Sequence, residues 1–187
     1  MRTSPRKNRK RKAYNEPGHV HFLTFSCYHD LPLFAHDKGR QWFLDALRTT
    51  RANQDVDLHA YLIMPEHVHV LLKPRQPDYN MAGILASLKR PVSWKAKQHL
   101  KDSGNVRWLQ RLTVREAGRE VFRFWQSGGG FDRNLWNGRA LGEAVDYIHN
   151  NPVRRGLAET PTDWLWSSAR FWAGMDGVLL AMDPIPL

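Results

Sequence analysis

The chain has 187 residues, of which 42% are hydrophobic, and its 28 Lys and Arg against 18 Asp and Glu give a net charge of +10. This composition suits one compact domain with its own core and excludes a disordered chain or a membrane-spanning one, because no apolar run is long enough to cross a bilayer. The positive charge favours a polyanionic partner, with nucleic acid as the leading class and a merely basic enzyme as the alternative.

Cysteine usage and the first residues of the chain indicate compartment and organisation. Cys27 is the only cysteine and so cannot form an internal disulfide, and the N-terminal residues lack the apolar stretch of a secretory signal, so we expect a cytoplasmic protein. Seven of the first twelve residues are basic, a density typical of a flexible arm that contacts phosphates. We predict a basic arm over residues 1–17, a folded domain over 18–175 and a C-terminal tail over 176–187.

Three strands and one helix are predicted in the first half of the chain. Residues His19–Tyr28 are rich in aromatic and β-branched side chains and predict the first strand. Residues 36–53 intersperse apolar side chains with charged ones, as an amphipathic helix does. Val56–Met64 and His67–Lys73 are predicted as strands, and because only Pro65 and Glu66 separate them, they should pair as an antiparallel hairpin.

A long helix is predicted over Tyr79–Leu100. Pro91 lies within it and should kink or interrupt it, since proline lacks the backbone N–H that a helix uses. The periodic apolar positions on which this prediction rests are Met81, Ile84, Leu85, Leu88, Val92 and Trp94.

One more strand and one more helix complete the order of elements. Val121–Trp125 has the composition of a fourth strand, which Gly128–Gly130 would close as a turn. A last helix is predicted from Leu141 to Asn150 and stopped by Pro152, because proline disfavours helical geometry in the residue before it. The resulting order matches the ferredoxin-like arrangement. We therefore predict an α+β fold of RRM-like type, with an antiparallel sheet that carries helices on one face and offers the other.

Two histidines alternate in the predicted strand His67–Lys73. The strand's period of two sends the imidazoles of His67 and His69 to one face and the apolar side chains between them to the other. Such residues are about 6.5 to 7 Å apart at the backbone, so imidazoles that lean together can bind one metal ion. The same spacing occurs at His19 and His21, also in a predicted strand, so spacing by itself does not assign chemistry. For that second pair we expect a structural or nucleic-acid-contacting role.

Tyr147 and Asn151 stand four residues apart in the segment DYIHNNPVRRGL, on one face of the last helix. A tyrosine hydroxyl has a pKa of about 10, so it attacks a phosphodiester only when a metal neutralises phosphate charge and the oxygen is held in line. Asn151 could supply a third, oxygen ligand to that metal. Taken alone, Tyr147 is more typical of a packed aromatic side chain, and Asn151 of a helix cap before Pro152.

Four blocks of sequence together resemble the REP-associated tyrosine transposases, a family of HUH nucleases similar to the small single-strand transposases of insertion sequences. The blocks are MPEHVHVLLKP, FRFWQSGGGFDRNL, YIHNNPVRRGL and DWLWSSA, and they occur in this order within residues 18–171. The resemblance implies a ferredoxin-like fold of the HUH endonuclease type. It also implies that His67 and His69 bind a divalent ion, Mg²⁺ or Mn²⁺, with Asn151 as third ligand and Tyr147 as nucleophile.

The activity implied is cleavage and rejoining of single-stranded DNA, the chemistry of DNA transposition and recombination. Tyr147 would form a 5′-phosphotyrosine and release a 3′-hydroxyl, and a later 3′-hydroxyl could rejoin the strand without a nucleotide triphosphate. The expected partner is single-stranded or hairpin-forming repeat DNA, bound by a nucleoid-associated monomer or homodimer. Phosphate contacts are predicted from basic residues of the long helix and from those just after the tyrosine: Lys89, Arg90, Lys95, Lys97, Arg154 and Arg155.

Three other functions are compatible with parts of the sequence. A non-catalytic single-stranded nucleic-acid-binding protein of ferredoxin-like fold would bind by aromatic stacking, and Tyr147 would then be dispensable. A histidine-triad hydrolase would need a third alternating histidine, but position 71 is leucine. A zinc hydrolase would need a third strong ligand, and Glu66 beside His67 is expected to point to the opposite face of the strand.

Overall fold

Six strands and five α-helices form the main elements of the part of the chain that the structure, a computed structural model, describes, residues 15–186. The strands are β1 Val20–Ser26, β2 Val56–Ile63, β3 His67–Pro74, β4 Thr113–Glu116, β5 Arg119–Phe122 and β6 Phe131–Leu135. The helices are α1 Asp37–Asn53, α2 Met81–Asp102, α3 Val106–Arg111, α4 Gly138–Arg154 and α5 Ala169–Trp172.

The central sheet has the strand order β2-β3-β1-β6, and all three neighbouring pairs are antiparallel. Strands β4 and β5 form a separate two-stranded ribbon. With α1 between β1 and β2, and α2 between β3 and the edge strand, this is the ferredoxin-like order. The predicted fold class is therefore confirmed, and so is the predicted hairpin of β2 and β3.

The fourth strand of the sheet is not the predicted one. Val121 and Phe122 pair with β4 in the ribbon, whereas the strand that pairs with β1 is β6, which follows the glycines. Gly130 has a φ of +85°, and a Cβ at this position would lie 2.4 Å from the backbone oxygen of Thr24. The glycine therefore allows the chain to approach β1 closely as β6 begins, instead of closing a turn after a strand.

Helices cover both faces of the sheet. Helices α1 and α2 pack on the face that presents Leu23 and Val70. Helix α4 packs through Leu141 and Ile148 on the other face, which presents Phe22 and which the sequence prediction left open. The apolar stripe of α4 needs such a partner, because an amphipathic helix buries its apolar side. The polar end of this second face, where β1 ends and β3 begins, carries the site described below.

Neither Pro91 nor Pro152 interrupts its helix. Helix α2 continues through Pro91 to Asp102, and α4 continues through Pro152 to Arg154. A proline removes one backbone donor from a helix, and close to the end of α4 the remaining bonds suffice: the Arg155 N–H donates to the Asn151 oxygen at 3.1 Å. The prediction that Pro152 stops the helix is thus wrong, and α4 ends four residues after the predicted Asn150.

The ends of the chain bear on the predicted domain limits. Residues 1–14 of the predicted arm lie outside the described residues. Within the predicted tail, Asp183 forms an ion pair with Arg51 of α1 and accepts a hydrogen bond from the Leu58 backbone N–H at 2.8 Å, and Met182 is buried in the core. These residues pack on α1 and β2. None of the described helices is both long and apolar enough to span a membrane.

Candidate active site

Strand β3 places His67 and His69 on the sheet face that α4 partly covers. Val68 and Val70 lie in the core on the opposite face, as the period of two predicts. The pairing of β1 with β3 sets His69 directly beside Thr24. The two imidazoles lean together until their Nε2 atoms are 3.1 Å apart.

The far nitrogen of each imidazole has a partner that fixes the ring. Glu66 Oε1 lies 3.1 Å from Nδ1 of His67, and Thr24 Oγ1 lies 2.8 Å from Nδ1 of His69. A carboxylate only accepts hydrogen bonds, so Nδ1 of neutral His67 is the donor and Nε2 keeps its lone pair. The prediction that Glu66 points to the opposite face is wrong, because Glu66 precedes β3 in the hairpin loop and its carboxylate reaches back to His67.

Burial keeps both imidazoles neutral. His69 is 3% exposed, and the loss of hydration lowers its pKa to about 3, with the positive charge of His67 in its protonated form and that of Arg154 adding to the effect. Desolvation also lowers the pKa of His67, against the opposing effect of the Glu66 carboxylate. An imidazole must be neutral to ligate a metal, so both rings are in the competent state at neutral pH.

Helix α4 carries Asn151 and Tyr147 to the same place, one helical turn apart. Asn151 is 7% exposed, and its Nδ2 lies 3.2 Å from Nε2 of His69, a residue 82 positions earlier in the sequence. Tyr147 is 45% exposed, and its ring centroid lies 5.7 Å from that of His69. The candidate nucleophile and the three candidate ligands therefore meet where β3 and α4 face each other.

Phe22 of β1 packs against both halves of the site, and the sequence analysis gave it no role. Its ring centroid lies 6.0 Å from that of Tyr147, 5.6 Å from that of His69 and 6.2 Å from that of Phe131 on the edge strand. Edge-to-face and tilted ring contacts of this kind favour one ring orientation, so Phe22 helps to fix the ring of Tyr147. The alternation of β1 could have assigned Phe22 and Thr24 to this face, but only once the register with β3 was known.

The donor set fits a divalent metal ion. The two Nε2 atoms lie 3.1 Å apart, and when Nδ1 of each ring carries the proton, both Nε2 lone pairs can bind one cation. The Asn151 amide presents its nitrogen here, and a half-turn of the amide would present its oxygen. Within residues 15–186 no group of three or more His, Cys, Asp or Glu is placed to hold an ion. An ion at this site would therefore take two imidazoles and an amide.

Arg154 and Arg155 border the cleft and differ in their partners. The Arg154 guanidinium lies 4.2 Å from the centroid of the Tyr147 ring and donates to the Tyr147 backbone oxygen at 3.0 Å. Arg155 forms an ion pair with Glu66 at 2.9 Å, so it is tied through that carboxylate to His67. The cleft is lined by Thr24, Ser26, His67, His69, Tyr147, Asn151, Arg154 and Arg155.

The four predicted phosphate contacts on α2 are not brought to this cleft, because α2 packs on the opposite face of the sheet. Lys89 donates to a backbone oxygen at 2.9 Å, and burial lowers its pKa. Lys95 forms an ion pair with Asp45 at 3.1 Å. Within the described part of the chain, Arg90 and Lys97 have no such partner.

The second histidine pair also lies away from the cleft. His21 is fully buried on the face covered by α1 and α2. Its Nδ1 lies 2.8 Å from Asp132 Oδ1 and its Nε2 lies 2.8 Å from the Tyr79 hydroxyl. The His19 ring lies 5.7 Å from that of Trp136. These contacts support the structural role for His21 that we expected.

Comparisons with known proteins bear on the family. No protein-family model matches the chain. A protein of Haemophilus influenzae named "Putative REP-associated tyrosine transposase" is 29% identical over 126 residues, which make up 67% of this chain and 66%, just under two thirds, of that protein. The solved structure of a REP-associated tyrosine transposase bound to a REP hairpin covers 95% of this chain and 94% of its own, with a TM-score of 0.66 and 19% identity.

The two proteins resemble this chain in different respects. The solved structure, at that identity, bears on the fold alone. The Haemophilus influenzae protein matches in sequence. In sequence and in fold, the chain resembles the REP-associated tyrosine transposases, as its four motif blocks predicted.

Proposed function

We propose that the protein is a metal-dependent endonuclease and strand transferase, a transposase that cuts and rejoins single-stranded DNA through Tyr147. The observation that carries the proposal is the convergence of two neutral imidazoles, the Asn151 amide and the Tyr147 ring in one cleft. Binding alone would need neither inward-facing imidazoles nor a half-exposed tyrosine beside them.

Each residue has a distinct task in the proposed cleavage. His67, His69 and Asn151 would hold a divalent ion, Mg²⁺ or Mn²⁺, which would neutralise negative charge on the scissile phosphate. The Tyr147 hydroxyl attacks phosphorus, and the bond from phosphorus to the 3′-oxygen breaks. The phenol proton is in net terms transferred to that oxygen, so the products are a 5′-phosphotyrosine and a free 3′-hydroxyl. Arg154 adds positive charge beside the attacking group.

Strand joining is the reverse of cleavage with a different strand. A 3′-hydroxyl attacks the phosphotyrosine, a new phosphodiester bond forms, and Tyr147 leaves as its phenol. Because the phosphotyrosine conserves the energy of the original bond, no nucleotide triphosphate is required. The 45% exposure of Tyr147 supports this step, since two strands must reach the same side chain in turn.

The proposed substrate is single-stranded DNA next to a hairpin of a repeat such as a REP element. Two observations support it: the net charge of +10, and the REP hairpin held by the solved transposase whose fold this chain resembles. We infer that Arg154 is the main phosphate contact in the cleft. We also infer that the protein acts on the nucleoid in the cytoplasm, as a monomer or a homodimer.

The test is a covalent trapping experiment with hairpin-bearing single strands from the flanks of the protein's own gene. With Mg²⁺ or Mn²⁺, DNA labelled at its 3′-end should migrate with the protein on a denaturing gel, whereas a 5′-label should leave on a shorter strand. Tyr147→Phe should abolish the adduct and retain DNA binding. Tyr61→Phe is the matched control, because the Tyr61 hydroxyl is buried without a hydrogen-bond partner among the described residues.

Two outcomes would overturn the proposal. Tight binding without an adduct, for every hairpin tried and with either ion, would favour the non-catalytic binding protein. An adduct that survives in Tyr147→Phe would show that another residue is the nucleophile.

A further inference from the structure

One side of α2 carries three cations and an exposed tryptophan, and of the cations Arg90 and Lys101 are exposed while Lys97 is partly buried. Arg90, Trp94, Lys97 and Lys101 are separated by four, three and four residues, so they form one line along the helix, called here the α2 stripe. Trp94 is 64% exposed. Its assignment to the apolar periodicity of the helix is therefore wrong, because it lies well away from the buried line through Leu88 and Val92.

The α2 stripe has no compensating negative charge. Asp102, at the end of α2, is the only acidic residue of that helix. The side chains of the three cations of the stripe make no ion pair or hydrogen bond with any other described residue. By contrast, Lys95 on the same helix pairs with Asp45. The stripe thus presents three unpaired cations along about 16 Å of helix, a span that several successive phosphates of a DNA strand would match.

The chemistry of the stripe selects among possible occupants. A second copy of this chain, docked symmetrically, would set the same cations against one another. An apolar protein segment would leave those cations without a counter-charge. Phosphate-binding cations around an exposed aromatic face are the combination with which proteins bind unpaired nucleic acid.

We propose that the α2 stripe binds a second, unpaired segment of the DNA substrate. Phosphates would contact Arg90, Lys97 and Lys101, and one base would stack on Trp94. Helix α2 and Tyr147 lie on opposite faces of the sheet, so this contact holds the strand and takes no part in the chemistry. The inference rests on the proposed function only in taking DNA as the ligand.

The experiment measures binding of fluorescein-labelled oligodeoxythymidylate to the full chain by anisotropy over a range of salt concentrations. Trp94→Ala should weaken binding about fivefold or more, and Trp94→Phe should retain most of the affinity. The combined change Arg90→Ala, Lys97→Ala, Lys101→Ala should reduce the slope of log K against log salt by about 2. Lys95→Ala is the matched control for Lys97→Ala, because it removes the same charge from the same helix.

Each possible result bears on the stripe itself. Equal losses of DNA affinity in Lys95→Ala and Lys97→Ala would show that only net charge matters, and would overturn the proposal. Equal DNA affinities of Trp94→Ala and Trp94→Phe would overturn it too, because no base would then stack on Trp94. A dimer that Trp94→Ala dissociates would make the stripe a self-association surface instead. If the protein forms no adduct at all, the proposed nuclease function is wrong. Binding of DNA to the α2 stripe can still be measured in that case.

Discussion

The molecule contains two His-x-His pairs on adjacent strands, and their surroundings differ. His21 of β1 has a partner at each ring nitrogen, the Asp132 carboxylate and the Tyr79 hydroxyl. His67 and His69 of β3 are each held at Nδ1, by Glu66 and by Thr24, while their Nε2 atoms are turned toward each other and toward the Asn151 amide. An imidazole can ligate a metal only through a free lone pair. What distinguishes the pairs is therefore whether a ring nitrogen of each histidine faces a shared cleft with another candidate ligand, and not the spacing.

The neighbours differ because the two pairs face opposite sides of the sheet. The face of His21 is closed by α1 and α2, and its polar atoms are used to join β1 to the edge strand and to the start of α2. The face of His69 meets the C-terminal half of α4, where Asn151 and Tyr147 project. One pair thus stabilises the fold, and the other is available for chemistry.

The largest expected effect separates the pairs by activity. His69→Ala removes a candidate metal ligand, so we expect cleavage of hairpin DNA to fall at least about a hundredfold, since a bound ion contributes several kcal/mol to such a reaction. His19→Ala, the control from the other pair, should stay within about twofold of the unchanged protein. Initial cleavage rates in excess Mn²⁺ measure both. Equal losses in the two variants would erase the distinction between the pairs.

A smaller effect separates them by stability. His21→Ala leaves Asp132 without the partner of its Oδ1, while its buried Oδ2 already has no hydrogen-bond partner among residues 15–186. We expect the free energy of unfolding to fall by about 3 kcal/mol, because an unpaired buried carboxylate costs that much. Urea unfolding measures it, and removing Asp132 as well should restore part of the loss. Unchanged stability with lost cleavage would instead make His21 a functional residue.

Much of this site could be predicted from the sequence, and the reason is local. The alternation of β3 orients His67 and His69, and the four-residue spacing of Tyr147 and Asn151 sets both on one face of α4. Each of these patterns lies within one element, so a single period describes it. The meeting of β3 and α4, 82 residues apart between His69 and Asn151, followed only from the family resemblance.

What the sequence did not predict depends on contacts between elements. Gly130 was assigned to a turn because its need for close approach to Thr24 is visible only once β6 lies on β1. Phe22 and Glu66 join the site through the register of β1 and through a loop carboxylate that turns back on its strand. Trp94 was counted with the buried apolar positions of α2 yet is exposed, because its place in the helix turns it away from the line through Leu88 and Val92.

The smallest expected effect comes from comparing Glu66 with Asp132, two carboxylates that each lie within hydrogen-bond distance of the Nδ1 atom of a histidine. Glu66→Gln keeps an acceptor for His67 but loses the charge that holds the ring and Arg155. We expect the affinity for Mn²⁺, measured by titration calorimetry without DNA, to fall about tenfold, as changes to such supporting residues do. The free energy of unfolding without metal should change by less than about 1 kcal/mol, since Arg155 is half exposed. Asp132→Asn should do the reverse, lowering stability and leaving Mn²⁺ affinity intact. If the Glu66→Gln protein loses stability and binds Mn²⁺ normally, Glu66 stabilises the fold, as Asp132 does, and does not support metal binding.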